Sequence, residues 1–335
     1  RGDHDVPEGS VDSGGLVRAG SPGRWLRTAT ALVAVGAAAA GCALVALPPV
    51  ADFDVMPVVL YAGEEVALDA SASTGDLVSY EWSLGSGVSE SGVEVTTRFG
   101  SPGVYPIRLT VTDAAGRSAT AAAELIVYVR AGTEIFSEDF SDGAAALGRW
   151  ALDPSLSSAD EGGMDYISSD GVGYCLFVHS EADRLHRRGA AVEVPPLRVG
   201  QKLVFSFDVM ATKIHAGYGF IIAPCRTQLA LPAAGLPYFV YSGTSGGATI
   251  HEPSPDGTDA VLPVSFRPSV YQWHTYVLTY EADHCYVAVD GDVHYAGALE
   301  DDLSSGGSWW IVVGDESEAD ACSTYYGRMR ATVEE

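Results

Sequence analysis

From residue 64 onward the chain repeatedly places an apolar residue at every second position. The runs "EEVALDAS" (64–71), "LVSYEWSL" (77–84), "VEVTTRF" (93–99), "VYPIRLTVTD" (104–113) and "SATAAAELIVYV" (118–129) all follow this period. Between them stand "TGD", "GSG", "GSPG" and "AAGR". A period of two predicts half-buried strands, because successive side chains of a strand point to opposite faces, and glycine and proline mark the turns. Val66 and Leu68, Leu109 and Val111, and Leu125 and Val127 are then inward pairs on three strands. Short strands without a helical period between them predict a small antiparallel sandwich over residues 50–130.

The rhythm continues after residue 133 in longer blocks. Strands are predicted at "YCLFVHS" (174–180), "AAVEVPPL" (190–197), "KLVFSFDVMAT" (202–212), "GYGFIIAP" (217–224) and "PYFVYSG" (237–243). Others follow at "WHTYVLTYE" (273–281), "CYVAVDGD" (285–292), "SWWIVVGD" (308–315) and "YGRMRATVE" (326–334). Helix signals are nearly absent, so residues 133–335 are expected to form two large sheets packed face to face. The fold class is all-β, a small sandwich followed by a larger one.

The first fifty residues break this pattern. Residues 28–50 carry no charge, Arg18, Arg24 and Arg27 precede them, and Asp52 and Asp54 follow. Such a run is about as long as the twenty residues that span a hydrocarbon core, and Pro48 and Pro49 would end its helix. Three readings stand: a transmembrane signal-anchor helix at 28–49 with its N-terminus inside, a cleaved signal peptide, or a lipoprotein signal whose "AAGC" would carry lipid on Cys42. Residues 1–27 are expected to form a disordered tail, and all three readings put everything after residue 50 outside the cytoplasm, at the cell surface or secreted.

Charge and cysteine content narrow the function. The chain has 44 acidic and 19 basic residues, a formal charge of −25, and its only lysines are Lys202 and Lys213. A field of that sign repels phosphate backbones, which excludes nucleic acid as a partner. Beyond Cys42 there are four cysteines, Cys175, Cys225, Cys285 and Cys322. An even number in an exported domain predicts two disulfides of open connectivity. None of them has the close spacing of a zinc site.

The blocks "ALDASAST", "YEWSLGSG" and "FGSPGVYPIRLTVTDAAGRSA" together resemble the PKD domain, an immunoglobulin-like sandwich, over about residues 50–130. The family's middle block is typically Y-x-W-D-F-G-D-G. Tyr80, Trp82, Gly85 and Gly87 match it, whereas Ser83, Leu84 and Ser86 depart. Trp82 can fill the space between two sheets and the glycines can take positive φ in the turn. The acids that would hold a cation are missing there. The resemblance implies an extracellular spacer or adhesive module.

Residues 134–335 resemble the laminin-G-like or concanavalin A-like jelly roll. "YQWHTYVLTYEADHCYVAVDGDVHYAG" (271–297) carries the likeness, with a strand opened by Trp273 and His274 and a "VDG" turn at Asp290 and Gly291. The resemblance implies either a binding module or an enzyme. Members that hydrolyse β-glucans use E-x-D-x-x-E on one strand, which alternation gathers into a cleft. No such spacing occurs here, nor does a Y-x-K-x-G-x-Y lyase pattern, and neither Tyr218 nor Tyr238 has a lysine beside it. No G-x-S-x-G or H-E-x-x-H appears either. The acidic stretch "GDESEAD" (314–320) reads as a solvated loop, and the scattered histidines as structural or surface groups.

No catalytic residues are assigned. Carbohydrate binding needs aromatic faces for sugar C–H groups, and Tyr218, Tyr238, Tyr241, His251, Trp309 and Trp310 are the candidates. Trp309 and Trp310 are adjacent on a strand, so at most one can line a concave surface. Calcium is common in these jelly rolls, which makes Glu138, Asp139 and Asp142 candidate oxygen ligands, although Gly327 stands where related chains often have Asp. The expected function is therefore glycan binding or adhesion to a cell-surface protein, non-catalytic and presented on a PKD spacer. A polysaccharide-active glycosidase or lyase with an atypical site, and a purely structural envelope component, are the alternatives.

Overall fold

The computed structural model describes residues 47–85, 87–142, 144–152, 164–169, 173–179, 187–214, 218–225, 236–242, 247–253, 259–299, 303–314 and 322–335. The apolar run before residue 47 with Cys42, the turn serine Ser86 and the acidic loop after Gly314 lie outside them. Leu47, Pro48 and Pro49 are not helical. No helix among the described residues is long and apolar enough to cross a membrane.

The first sandwich contains β1 (Asp54–Met56), β2 (Leu60–Tyr61), β3 (Glu65–Asp69), β4 (Leu77–Ser83), β5 (Ser89–Ser91), β6 (Glu94–Arg98), β7 (Gly103–Asp113) and β8 (Ser118–Tyr128). Its sheets run in the orders β1-β3-β6 and β2-β8-β7-β4-β5. The inward residues are the expected ones: Val66, Leu68, Leu109, Val111 and Val127 are fully buried, and Leu125 nearly so. Trp82 is 1% exposed between the sheets. Phe53 meets its ring nearly edge-on, with centroids 5.2 Å apart. Its Nε1 donates to the carbonyl of Gly92 at 2.9 Å, so the one polar atom of the ring is satisfied inside the core. Gly85 and Gly87 hold φ of 74° and 77° in the turn after β4, a left-handed region that costs glycine little.

The larger sandwich begins with β9 (Thr133–Glu138), a short helical turn at Ala144–Leu147, β10 (Ala151–Leu152), β11 (Met164–Ser169), β12 (Gly173–His179) and β13 (Arg187–Val194). It continues with β14 (Lys202–Ala211), β15 (Gly219–Cys225), β16 (Tyr238–Ser242), β17 (Gly247–Pro253) and β18 (Asp259–Val264). The last strands are β19 (His274–Tyr280), β20 (His284–Val289), β21 (Asp292–Ala298), β22 (Gly307–Gly314) and β23 (Ser323–Glu334). A seven-stranded sheet, β10-β13-β22-β15-β16-β17-β18, packs on an eight-stranded one ordered β11-β12-β23-β14-β19-β20-β21, in which β9 also pairs with β23. Strands distant in sequence are neighbours in both sheets, giving a jelly-roll-like β-sandwich with a single large core. The "VDG" turn is left-handed at both Asp290 (φ 52°) and Gly291 (φ 90°), which is the backbone that a tight hairpin between twisted strands requires.

The junction between the sandwiches is pinned on both sides. Val129 packs into the larger core, and its carbonyl accepts a hydrogen bond from Nε2 of the buried Gln201 at 3.0 Å. The Arg130 guanidinium turns the other way, 4.9 Å over the Tyr61 ring and ion-paired with Glu64. Gly132 then donates to the carbonyl of Val333. At the opposite end of β8, Arg117 Nη2 donates to the carbonyl of Leu47 at 3.0 Å. The chain therefore crosses the first sandwich from end to end, and the 11 residues of β8 measure that crossing at roughly 35 Å.

Truncating Trp82 to alanine removes the largest side chain between the small sheets and leaves a cavity. The expected cost is about 3–5 kcal/mol, read as a lowered denaturant midpoint for the first sandwich.

Candidate functional site

Alternation gives the seven-stranded sheet one face toward the core and one away from it. Trp309, Ile311, Phe220, Ile222, Phe239, Tyr241 and Ile250 fill the core side. On the other side the strand register lines up a different set. Trp310 on β22 stands opposite Ala191 on β13 and Cys225 on β15. Tyr238 on β16 stands opposite His251 on β17, which in turn faces Val261 on the edge strand β18. From β22 to β17 is three strand spacings, or about 14 Å.

Tyr238 and His251 form a cross-strand pair, with ring centroids 5.1 Å apart and the phenol oxygen 3.4 Å from Nδ1. They are only 5% and 9% exposed. Trp310 is half-buried against a small apolar cluster of Ile221, Ala223, Val240 and Val312. Toward β13 the face is open: Ala191, Glu193 and Ser308 are exposed, and the Ser308 hydroxyl donates to Glu193. Glu193 is the carboxylate that alternation places on this face among the described side chains.

Three of the six residues expected to contact a ligand thus share one surface, Tyr238, His251 and Trp310. Two do not. Trp309 stacks on Phe205 with centroids 6.3 Å apart in the core, and Tyr241 turns inward and donates its hydroxyl to the Ile214 carbonyl. The sixth, Tyr218, is half-buried just before β15, and its hydroxyl accepts from Lys213 Nζ at 3.0 Å. Lys213 comes from the segment that precedes the strand, so no same-strand motif reveals it as a neighbour of Tyr218.

The three acids at the start of the larger sandwich meet a guanidinium. Glu138, 4% exposed, accepts from Arg149 Nε at 3.0 Å and from Nη2 at 2.9 and 3.0 Å. It also takes the Trp150 indole and the amide of Phe140, a buried residue held at φ 56°. Asp142 accepts from Arg149 Nη1 at 2.6 Å and Nη2 at 3.0 Å. Asp139 binds the Ser141 amide instead. The Arg149 hydrogen bonds hold the Asp142 carboxyl below the usual carboxylate range. A fixed side-chain cation therefore sits between Glu138 and Asp142, where a metal was expected. No group of three or more His, Cys, Asp or Glu is arranged to hold a metal among the described residues.

The expected disulfides are not formed. Cys175, Cys225, Cys285 and Cys322 are all buried, and no bridge joins any two of them. Cys175 on β12 and Cys285 on β20 belong to the same sheet but have β23, β14 and β19 between them. Burial pushes both thiols up, Cys285 to about 12. His274 has a structural role. Its Nδ1 lies 2.6 Å from Asp290 Oδ2, and its Nε2 accepts the Ser269 amide at 3.1 Å.

Two β-sandwiches in series define a modular all-β protein. Residues 46–127 match the family model of the PKD domain, and this part of the chain is a PKD domain. Among characterised proteins, a microbial collagenase from Vibrio alginolyticus is 31% identical over 80 residues. That match covers 23% of this chain and 10% of the collagenase. Among solved structures, a study of carbohydrate-binding modules from the β-sandwich superfamily aligns at 14% identity and a TM-score of 0.28, over 86% of this chain and 98% of the other. A family 16 endo-glucanase from Bacteroides ovatus aligns at 14% identity and a TM-score of 0.41, over 58% of this chain and 99% of the enzyme.

Replacing Arg149 by methionine leaves Glu138 buried beside Asp142 with no cation. A loss of about 2 kcal/mol is expected at neutral pH, less than for a fully buried pair because Arg149 is half exposed. Because the folded Asp142 pKa is depressed, its contribution is present above its unfolded value near 4 and is lost as pH falls through the folded one. The wild-type and variant melting temperatures should therefore draw together as pH falls below the ordinary aspartate range.

Proposed function

We propose that the chain is an exported, non-catalytic glycan-binding protein whose PKD domain holds the jelly roll away from its N-terminal end. One observation carries the reading. The outer face of the seven-stranded sheet carries the half-buried Trp310 with Glu193 diagonally beside it, and the Tyr238–His251 pair lies on the same face, offset by two residues along the strands. An aromatic ring offers a flat apolar surface to sugar C–H groups, and a carboxylate beside it orients hydroxyls. The PKD domain and the likeness to a microbial collagenase support a setting outside the cytoplasm, and the uncharged run at 28–50 supports anchorage or export. Adhesion to a surface glycoprotein is the corresponding cellular role.

A catalytic reading draws on the Tyr238–His251 contact, a phenol and an imidazole within 3.4 Å. Their burial disfavours it, since a proton-transfer pair must reach the substrate, and it likewise leaves contact with a glycan to the half-buried Trp310 and the exposed Glu193.

Glycan-array screening of the whole chain, with and without calcium, tests the proposal. Specific retention is expected, and Trp310→Ala should weaken it roughly tenfold, or about 1.4 kcal/mol. Release of reducing ends or unsaturated products from the retained glycan would instead support the enzyme, and silence across the array would support a structural envelope component. Retention that needs calcium would return Glu138, Asp139 and Asp142 to the role of metal ligands.

A further inference from the structure

The segment leading into β19 carries Tyr271, which is 70% exposed and holds φ at 58°. Left-handed backbone is unfavourable for a bulky residue, and glycine would relieve it. The conformation is held by the Tyr271 amide, which donates to the Ala211 carbonyl at 2.9 Å. Packing does not account for a tyrosine here, because most of its surface faces water.

Two residues later the Trp273 indole lies on β23 at Gly327. A β-carbon on Gly327 would stand 3.0 Å from Trp273 Cζ3, 3.3 Å from Cη2 and 3.4 Å from Asp208 Cβ. The absent side chain gives the ring a seat on the strand, and part of the ring stays open to solvent. Asp208 accepts the Thr275 hydroxyl at 2.8 Å through Oδ1, while its Oδ2 lies 3.6 Å from Arg328 Nη2. Both charged groups keep exposed surface.

The geometry points to a second saccharide-binding platform on the outer face of the eight-stranded sheet, made by Tyr271 and Trp273 with Asp208 and Arg328. It rests on the glycan-binding reading and adds a surface on the sheet opposite to that of Trp310. The rings offer apolar faces to axial C–H groups, and the carboxylate and guanidinium bond sugar hydroxyls as acceptor and donor. The occupant is a neutral polysaccharide, because a chain of formal charge −25 repels polyuronates and sulfated glycans. Equatorial hydroxyls suit it best, since they leave both ring faces as C–H surface.

Affinity electrophoresis of the 335-residue chain through gels containing laminarin, xyloglucan or galactomannan, with alginate as the polyanion, tests the platform. Wild type should be retarded by at least one neutral polymer and not by alginate. Tyr271→Gly should weaken that retardation about tenfold while the melting temperature holds or rises, because glycine suits the backbone there. The pairing of lost binding with undiminished stability is the expected signature. Full retardation of Tyr271→Gly alongside weakened Trp310→Ala would overturn the platform and leave the first surface standing. Absence of retardation of wild type by every neutral polymer would overturn both surfaces, and stronger retardation by alginate would overturn the neutral ligand.

Discussion

The larger sandwich depends on its last strand. β23 pairs with β14 along nearly its whole length, and its other edge is shared, with β12 bound at Ser323–Tyr326 and β9 at Met329–Val333. The eight-stranded sheet therefore has no continuous centre until the last residues of the chain are in place. Contacts so distant in sequence make folding slow and cooperative. The same strand hosts Gly327, the seat of Trp273, and Tyr326, whose hydroxyl accepts the Gly314 amide and donates to the Ile221 carbonyl of the opposite sheet. Sheet closure, sheet-to-sheet registration and the proposed platform thus share one element.

A second constraint lies at the junction. Gln201 and Arg130 tie the four-residue connection to the larger and the smaller sandwich respectively. The PKD domain enters and leaves at opposite ends of β8, a geometry suited to a spacer. A flexible connection would let the jelly roll tumble, whereas the buried Gln201–Val129 hydrogen bond fixes the chain as it leaves.

The architecture was legible in the sequence because burial and strand period coincide. The pairs Val66/Leu68 and Leu109/Val111 and the ring of Trp82 lie where alternation and the PKD-like blocks place them. Adjacent Trp309 and Trp310 do separate to opposite faces, but parity alone does not say which face is the core. β18 went unread because Pro263 interrupts its run, and it is tolerated there because β18 is an edge strand. Tyr238 and His251 were chosen one by one, and only the register made them a pair. Arg149 was invisible as a partner of Glu138, since eleven residues and a helical turn separate them. The cysteines misled because an even count in an exported chain carries no information about which sheet each occupies.

The return of β23 to the junction has a practical corollary. Val333 pairs with Thr133, the first residue of β9, so Glu335 lies beside the linker and away from the strand ends remote from it. A tether added after Glu335 would therefore hold the molecule near its waist, next to the PKD domain. On a sensor chip, such immobilisation would leave the remote end of the jelly roll facing the flow.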